Sequence, residues 1–343
     1  MNSAVETSPT QTSLSHRDAS PHALAKEILA EVLRYRHVAG SAACVGSACA
    51  ACLSPHLVKA AAAISEGRPI TLVLPAFPGK SPNAAKVLGP LPDLAERRAL
   101  EFLDQLCARI AARYAPGARV ILCSDGRVFS DVVGMEEANV TAYQREISRL
   151  IRDQALTHLE TFNLEDIFPA LSFHEMRERL MDKFGAAPEE LRRKVREGDA
   201  PFADRESQEA LRMYRGITRF LVEDATHPGQ TKSRTAVQKD CRARAYEVIR
   251  RSNAWSSLIE EQFPDAIRLS IHPQTCGAKK VGIRLLDSES WMTPWHGVAL
   301  ETGGRIVLIK RAQAEAMGAR LVEVDGRASH FELSAGTIPM EVT

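Results

Sequence analysis

Pro69-Ile70-Thr71-Leu72-Val73-Leu74 is a short apolar run that ends abruptly in Pro75-Ala76-Phe77-Pro78-Gly79-Lys80-Ser81-Pro82-Asn83. An apolar run of this length, closed by turn-forming residues, is the pattern of a strand buried on both faces. Three prolines then keep the loop out of helix and sheet. The pattern recurs downstream, where Arg119-Val120-Ile121-Leu122-Cys123 runs straight into Ser124-Asp125-Gly126-Arg127. Between the two, Asp93 is placed to cap an amphipathic helix that extends to about Tyr114 and is broken by Pro116-Gly117. Its apolar face holds Leu94, Leu100, Leu103, Leu106 and Ile110. A further helix is predicted over 139–153, and 157–162 offers one more strand. Strand, loop, helix, strand, loop, helix predicts an α/β fold with a Rossmann-like, mainly parallel sheet flanked by helices.

Upstream, residues 22–35 carry Leu24, Ile28, Leu29, Val32 and Leu33 at helical spacing, with Ser20 as N-cap before Pro21, and a second helix is predicted over 56–65. The first twenty residues, rich in Ser, Thr and Pro, read as a disordered tail without the apolar stretch of a signal peptide. Downstream, 172–262 is helical and densely charged, and runs such as Arg192-Arg193-Lys194 read as solvated helix faces. From Ile267 the pattern changes to short strands at 268–272, 281–286, 297–301, 305–309 and 321–324, with Gly303-Gly304 a hairpin signal. The expected organisation is a tail (1–20), an α/β portion with both loops (21–160), a helical portion (161–265) and a strand-rich portion (266–343) completing the same catalytic unit.

The 343 residues suffice for a substantial core, and 45% hydrophobic with 25% charged residues is ordinary for a globular protein. A formal net charge of +1 argues against a general nucleic-acid binder, which needs clustered cations for counterion release. No apolar run reaches transmembrane length. With no export signal, a cytoplasmic location is expected, and the seven cysteines are expected as free thiols. Cys44-x4-Cys49-x2-Cys52, followed by His56, has a spacing compatible with zinc and echoes plant-type ferredoxins. No clear distant fourth cysteine accompanies it and its neighbours are alanines, so small core residues and no metal are expected.

Both loops leave the carboxyl ends of predicted parallel strands, where open α/β sheets bind ligands. The first carries Lys80, Ser81, Asn83 and Lys86; the second carries Ser124, Asp125, Arg127 and Asp131. Lys80 suits a phosphate or carboxylate, or serves as an amine nucleophile or base if burial lowers its pKa; otherwise it is a solvated loop lysine. Asp125-Gly126-Arg127 reads as a tight turn, with Gly126 supplying a backbone conformation that other residues resist. Arg127 is suited to a planar anion and Asp125 to an amine or hydroxyl; the plainer reading is an Asp–Arg pair that fixes the turn. Arg268, His272, Trp295 and His296 mark strand ends, where a histidine shuttles protons or serves as a hydrogen-bonded structural residue. Lys232 and Arg234 form a basic loop suited to phosphate or to solvation of a helix start. No Walker or dinucleotide glycine loop is present, which weakens kinase and NAD-dependent readings.

LPAFPGKSPNAAKVLGPLPDLAE (Leu74 to Glu96) resembles the signature of the pyoverdine/dityrosine biosynthesis family of isocyanide synthases. So do CSDGRVFSDVVG (Cys123 to Gly134), FLVED (Phe220 to Asp224), IRLSIHP (Ile267 to Pro273) and TPWHGVAL (Thr293 to Leu300). The similarity spans roughly 20–335 and is nearest to the bacterial tyrosine isonitrile branch of paerucumarin-type pathways; other members act on tryptophan. The resemblance implies condensation of an aromatic amino acid with the C2 ketone of ribulose 5-phosphate, then fragmentation that leaves that carbon on nitrogen as an isonitrile. It implies no cofactor, and a partner iron- and 2-oxoglutarate-dependent oxygenase that consumes the product.

On that reading Lys80, Asp125, His272 and His296 are the acid–base candidates. Lys80, Lys86, Lys232 and Arg234 would cradle the phosphate, and Arg127 or Arg268 would take the amino-acid carboxylate. Lys80→Ala is then expected to abolish turnover with the fold intact. Two competing readings are a sugar-phosphate/amine condensing lyase with a lysine Schiff base, and a non-catalytic sensor of an amino acid or sugar phosphate.

Overall fold

The structure, a computed structural model, describes residues 20–39, 44, 49–227, 229–286 and 292–333. Residues 1–19, nearly all of the expected tail, lie outside them. The chain opens with helices α1 (Pro21–Leu33) and α2 (Ala50–Ser65), then enters β1 (Ile70–Pro75). Ser20 caps α1 through Ala23 N, as expected; α2 begins earlier than the spacing predicts and accommodates Pro55 in its second turn.

After β1 come α3 (Leu94–Ala111), β2 (Ala118–Cys123), α4 (Gly126–Val133), α5 (Glu137–Asp153) and β3 (Leu159–Phe162). Asp93 and Glu96 close a reciprocal capping box at the start of α3. The charged middle folds as α6 (Leu164–Ile167), α7 (Phe173–Phe184), α8 (Pro188–Glu197), α9 (Arg205–Ala225) and α10 (Arg234–Gln262). The chain then forms β4 (Ile267–Ser270), β5 (Val281–Gly282), β6 (Val298–Thr302), β7 (Arg305–Ile309), α11 (Arg311–Ala316), β8 (Arg320–Val324) and β9 (Arg327–Glu332).

The first sheet has the order β3-β2-β1-β4-β5, and its pairs are parallel. β1 and β2 are neighbours in register, Ile70 opposite Ala118 and Pro75 opposite Cys123, so their two loops leave the sheet side by side. One face, with Leu72, Leu74, Val120 and Leu122, packs on α1, α2 and α3. The other, with Val73, Ile121 and Cys123, packs on α7 and α10 through Met176, Leu180, Trp255 and Leu258. Apolar side chains on both faces explain why these strands read as continuous apolar runs.

The expectation of a run of strands from Ile267 needs division. β4 and β5 return to the first sheet, whereas the later strands form a second sheet of order β7-β6-β9-β8. Gly303 and Gly304 make the two-residue hairpin turn between β6 and β7, both in the left-handed region (φ 54° and 72°). Returning to the first sheet also carries Cys276, in the loop after β4, to Cys44, Cys49 and Cys52, supplying the fourth cysteine that spacing did not reveal. No helix among the described residues is long and apolar enough to cross a membrane.

Candidate active site

From β1 the sheet grows one way through β2 and β3, and the other way through β4 and β5. Such a switch point opens a crevice outside the carboxyl ends of the strands. The loops after β1 and β4 flank it, with the loop after β2 next door.

The two sequence loops touch directly. Ser124 Oγ donates to the Phe77 carbonyl at 3.0 Å. Gly126 is the first residue of α4, not the centre of a turn, and its φ is ordinary. Glycine is needed there for closeness, because a Cβ would lie 1.7 Å from the Pro78 carbonyl oxygen. Phe77 is held in the left-handed region (φ 58°) and packs on Trp295, ring centroids 5.2 Å apart. The short turn Pro294–His296 closes the third side: Ser81 N donates to the Trp295 carbonyl at 2.9 Å and Lys80 Nζ to the Pro294 carbonyl at 3.0 Å.

Lys80 is fully buried between Asp93 Oδ2 and Glu96 Oε2, each at 2.8 Å. Burial alone would lower its pKa, but the two carboxylates outweigh this and raise it, so the amine stays charged. Burial, with Asp93 alongside, pushes Glu96 up to about 7 despite the opposing pull of Lys80. Glu96 also accepts a hydrogen bond from Tyr143 (3.2 Å). The lysine therefore ties the first loop to the start of α3.

Lys86 reaches a different acid. Its Nζ lies 2.6 Å from Asp224 Oδ1, which also accepts from Ser81 Oγ at 2.7 Å, while Asp224 Oδ2 is buried without a partner. Asn83 fixes this end of α9 by donating to the carbonyls of Glu223 (2.9 Å) and Thr226 (3.1 Å). Phe220, one turn back, stacks edge-on against the His296 ring at 4.6 Å and lies under Lys86 Nζ at 5.3 Å.

At the end of β2, the Asp125 carboxyl is desolvated and pushed up to about 7, and its Oδ1 has no partner. His296 is driven well below its usual pKa by burial, then by Lys86, His272 and Lys80; its Nδ1 is also unpartnered. His272, after β4, is open to water on one side but hemmed by protein on others, and desolvation lowers its pKa too. Arg268 donates to Ser256 O and Oγ (3.0 and 3.1 Å), and Lys280 Nζ lies 3.4 Å from the same Oγ. Burial lowers the pKa of Arg268, and the surrounding protein lowers that of Lys280 too although that side chain is open to solvent; among the described residues no carboxylate forms an ion pair with either, and Glu260 acts on both only from further off. They are a ready receptor for an anion.

Four sequence candidates sit elsewhere. Arg127 is buried against Glu137, Glu165 (2.7 Å) and Thr141 (2.7 Å), with its guanidinium 3.6 Å from the Phe173 ring. Four of its five N–H donors are spent on joining α4 to α5 and α6, and the side chain is enclosed in protein, so it is not presented to a substrate carboxylate. Asp131 pairs with Arg251 (2.6 Å) on the rim of an open basin of about 570 Å³. That basin lies where α7 meets α4 and α10, and its lining holds none of the residues at the strand ends. Lys232 and Arg234 are exposed at the start of α10. Trp295 is a buried pillar rather than a stacking surface, since its ring faces Phe77 in the core. In return, the structure adds Asp224, Glu96 and Lys280; the first two lie within the quoted motifs, whereas no sequence signal marks Lys280.

The family model "pyoverdine/dityrosine biosynthesis protein" matches residues 60–322, most of the chain and every residue of the crevice just described. The chain belongs to the pyoverdine/dityrosine biosynthesis family. Among its relatives in that family, an L-tyrosine isonitrile synthase of Pseudomonas aeruginosa is 45% identical over 82% of this chain and 84% of its own length. L-tryptophan isonitrile synthase AmbI2 of Fischerella ambigua is 42% identical over 93% of this chain and 95% of its own. The crystal structure of the PvcA protein from Pseudomonas aeruginosa superposes with a TM-score of 0.84 at 43% identity, covering 91% of this chain and all of that one. Relatives 42–45% identical over most of the chain are isonitrile synthases, and this family member is an enzyme of that kind.

Proposed function

We propose that the enzyme converts the amino group of L-tyrosine to an isonitrile, taking the carbon from C2 of ribulose 5-phosphate, in the cytoplasm and as a step of secondary metabolism. One observation carries the assignment of roles. The Asp125 carboxyl, whose Oδ1 has no partner and whose pKa burial pushes up to about 7, stands beside the same crevice as two imidazoles kept uncharged.

Imine formation between an amine and a ketone moves protons at every stage, and a group whose pKa matches the working pH moves them best. Asp125 takes the proton of the substrate ammonium. His296 and His272, neutral at pH 7, relay protons to the departing ketone oxygen. Asp224, with one oxygen fixed by Lys86 and Ser81 and the other open, orients the amine. Arg268 and Lys280 receive the phosphate or the carboxylate. Lys80, charged and enclosed, positions the loop and does not attack; this disfavours the Schiff-base lyase.

L-tryptophan is the second substrate reading, favoured by the 42% identity to AmbI2 over nearly the whole chain. Incubation with each aromatic amino acid and ribulose 5-phosphate labelled with carbon-13 at C2, read by mass spectrometry, tests the proposal. Expected is a labelled tyrosine isonitrile that an iron- and 2-oxoglutarate-dependent oxygenase can consume. Unlabelled isonitrile refutes the donor, and product from tryptophan alone refutes the substrate.

A further inference from the structure

Four cysteines that take no part in this chemistry converge beneath the loop after β4. Cys44 Sγ lies 3.3 Å from Cys52 Sγ; Cys276 Sγ lies 3.6 Å from Cys52 Sγ and 3.7 Å from Cys49 Sγ. All four sulfurs fall within 4.8 Å of one another. These separations are far beyond the roughly 2.05 Å of a disulfide, and the cysteines are free. They match a different figure. Thiolates about 2.3 Å from a tetrahedral zinc ion are about 3.8 Å apart along each edge.

We infer that Cys44, Cys49, Cys52 and Cys276 bind one structural zinc ion. Compactness decides for a single ion, since an iron–sulfur cluster puts its thiolates on separate irons and spreads them further apart. Four protein ligands leave no open position, which is the mark of a structural site. Cys49 and Cys52 approach from one side because Cys49 caps α2 and Cys52 stands in its first turn, with Cys52 N donating to the Cys49 carbonyl at 3.0 Å. His56, a turn further along, is outside the group.

Arg36 provides an independent sign of charge at this place. Its Nη2 donates to the Cys44 carbonyl at 2.9 Å, while its Nη1 is buried with no protein acceptor. A guanidinium so placed offsets the double negative charge that four thiolates leave on a zinc ion. The ion would clasp the segment before α2 to the loop between β4 and β5, which is also paired through Gln274 N to the His37 carbonyl (2.9 Å) and through Ala39 N to the Gln274 carbonyl (3.0 Å). That loop carries His272, so the clasp sets one wall of the crevice.

The test is metal analysis of the full chain after gel filtration in a chelating buffer. One zinc per chain is expected, released stoichiometrically as an organomercurial modifies four thiols; the other three, Cys107, Cys123 and Cys241, have no exposed surface, whereas Cys44 and Cys52 each keep 8%. Cys276→Ser should lose most of the zinc. If that variant does not fold, the mercurial titration of the unaltered protein decides alone. A metal-free chain with four rapidly reacting thiols, bound iron with or without acid-labile sulfide, or zinc retained in full by Cys276→Ser overturns the inference. None of these readouts depends on the enzymatic reaction.

Discussion

Replacing Asp125 with Asn separates stability from catalysis, because the same desolvation that suits this carboxyl to its task costs the fold. Its pKa is pushed up to about 7 by burial, and no carboxylate oxygen partner compensates at Oδ1. An unfolded aspartate titrates near 3.9, so the gap of about 3 pH units corresponds to about 4 kcal/mol. Asp125 is only partly buried, and solvent screening reduces this to about 1–3 kcal/mol. The sign follows from the raised folded pKa. This group's contribution to stability is fully present below about pH 4 and is lost as pH rises through 7. Asn carries no charge and escapes that loss. Asp125→Asn should therefore gain stability over the unaltered enzyme as pH rises, with about two-thirds of the difference appearing between pH 5 and pH 8.

Urea unfolding followed by circular dichroism at those two pH values measures the difference, and turnover on the amino acid and sugar phosphate measures the catalytic cost. Loss of a general base lowers kcat by roughly 10²–10⁴. The unaltered enzyme should lose kcat/KM about tenfold per pH unit on the acid side of 7. A variant that is relatively less stable at pH 8 than at pH 5, or that keeps more than about a tenth of its activity, refutes the assignment.

Three further variants test the scaffold and the anion receptor. Lys80→Ala leaves Asp93 and Glu96 facing each other in the interior and should lower unfolding free energy by about 3–5 kcal/mol; a stable but inactive variant would instead restore the lysine nucleophile. Gly126→Ala forces a methyl group onto the Pro78 carbonyl and should cost at least about 1–3 kcal/mol in chemical denaturation while prising the two loops apart. Lys280→Ala should raise KM for the sugar phosphate about tenfold, the loss of one charge-assisted contact, with kcat and melting temperature unchanged; a change confined to kcat would place Lys280 in proton transfer.

The strands around the first two loops were legible because both faces of β1 and β2 are buried, which writes an unbroken apolar run into the sequence. α4 was not legible. Its apolar residues Val128, Phe129, Val132 and Val133 are shared between two separate clusters, and its start coincides with a Ser-Asp-Gly sequence that reads as a turn. Arg127 misleads for a related reason: a fork of donors looks alike from sequence whether it meets a substrate or two buried glutamates. The Lys80 ion pair joins residues 13 and 16 apart, yet nothing in the spacing says that both acids point inward, because both read first as the two halves of a capping box.

Strand order explains why the motifs converge. β4 follows β3 by about a hundred residues of helix and loop and lands on the far side of β1. Had it added next to β3, the loop bearing His272 would stand at the sheet's edge, far from the first loop. Landing beside β1 makes that loop a wall of the crevice, and the turn Pro294–His296 is then drawn over the top by Lys80 and Ser81. The end of α9 is brought in through Lys86 and Asn83. Each charged residue of the first loop is thus matched to a carbonyl or carboxylate from a later segment, and the pocket exists only once all of them are in place. A chain cut before β4 is expected to keep β1–β3 as a buried-strand pattern and to lose His272, His296, Arg268 and Lys280 together, so partial activity from such a fragment would contradict the assembly of the site from these later segments.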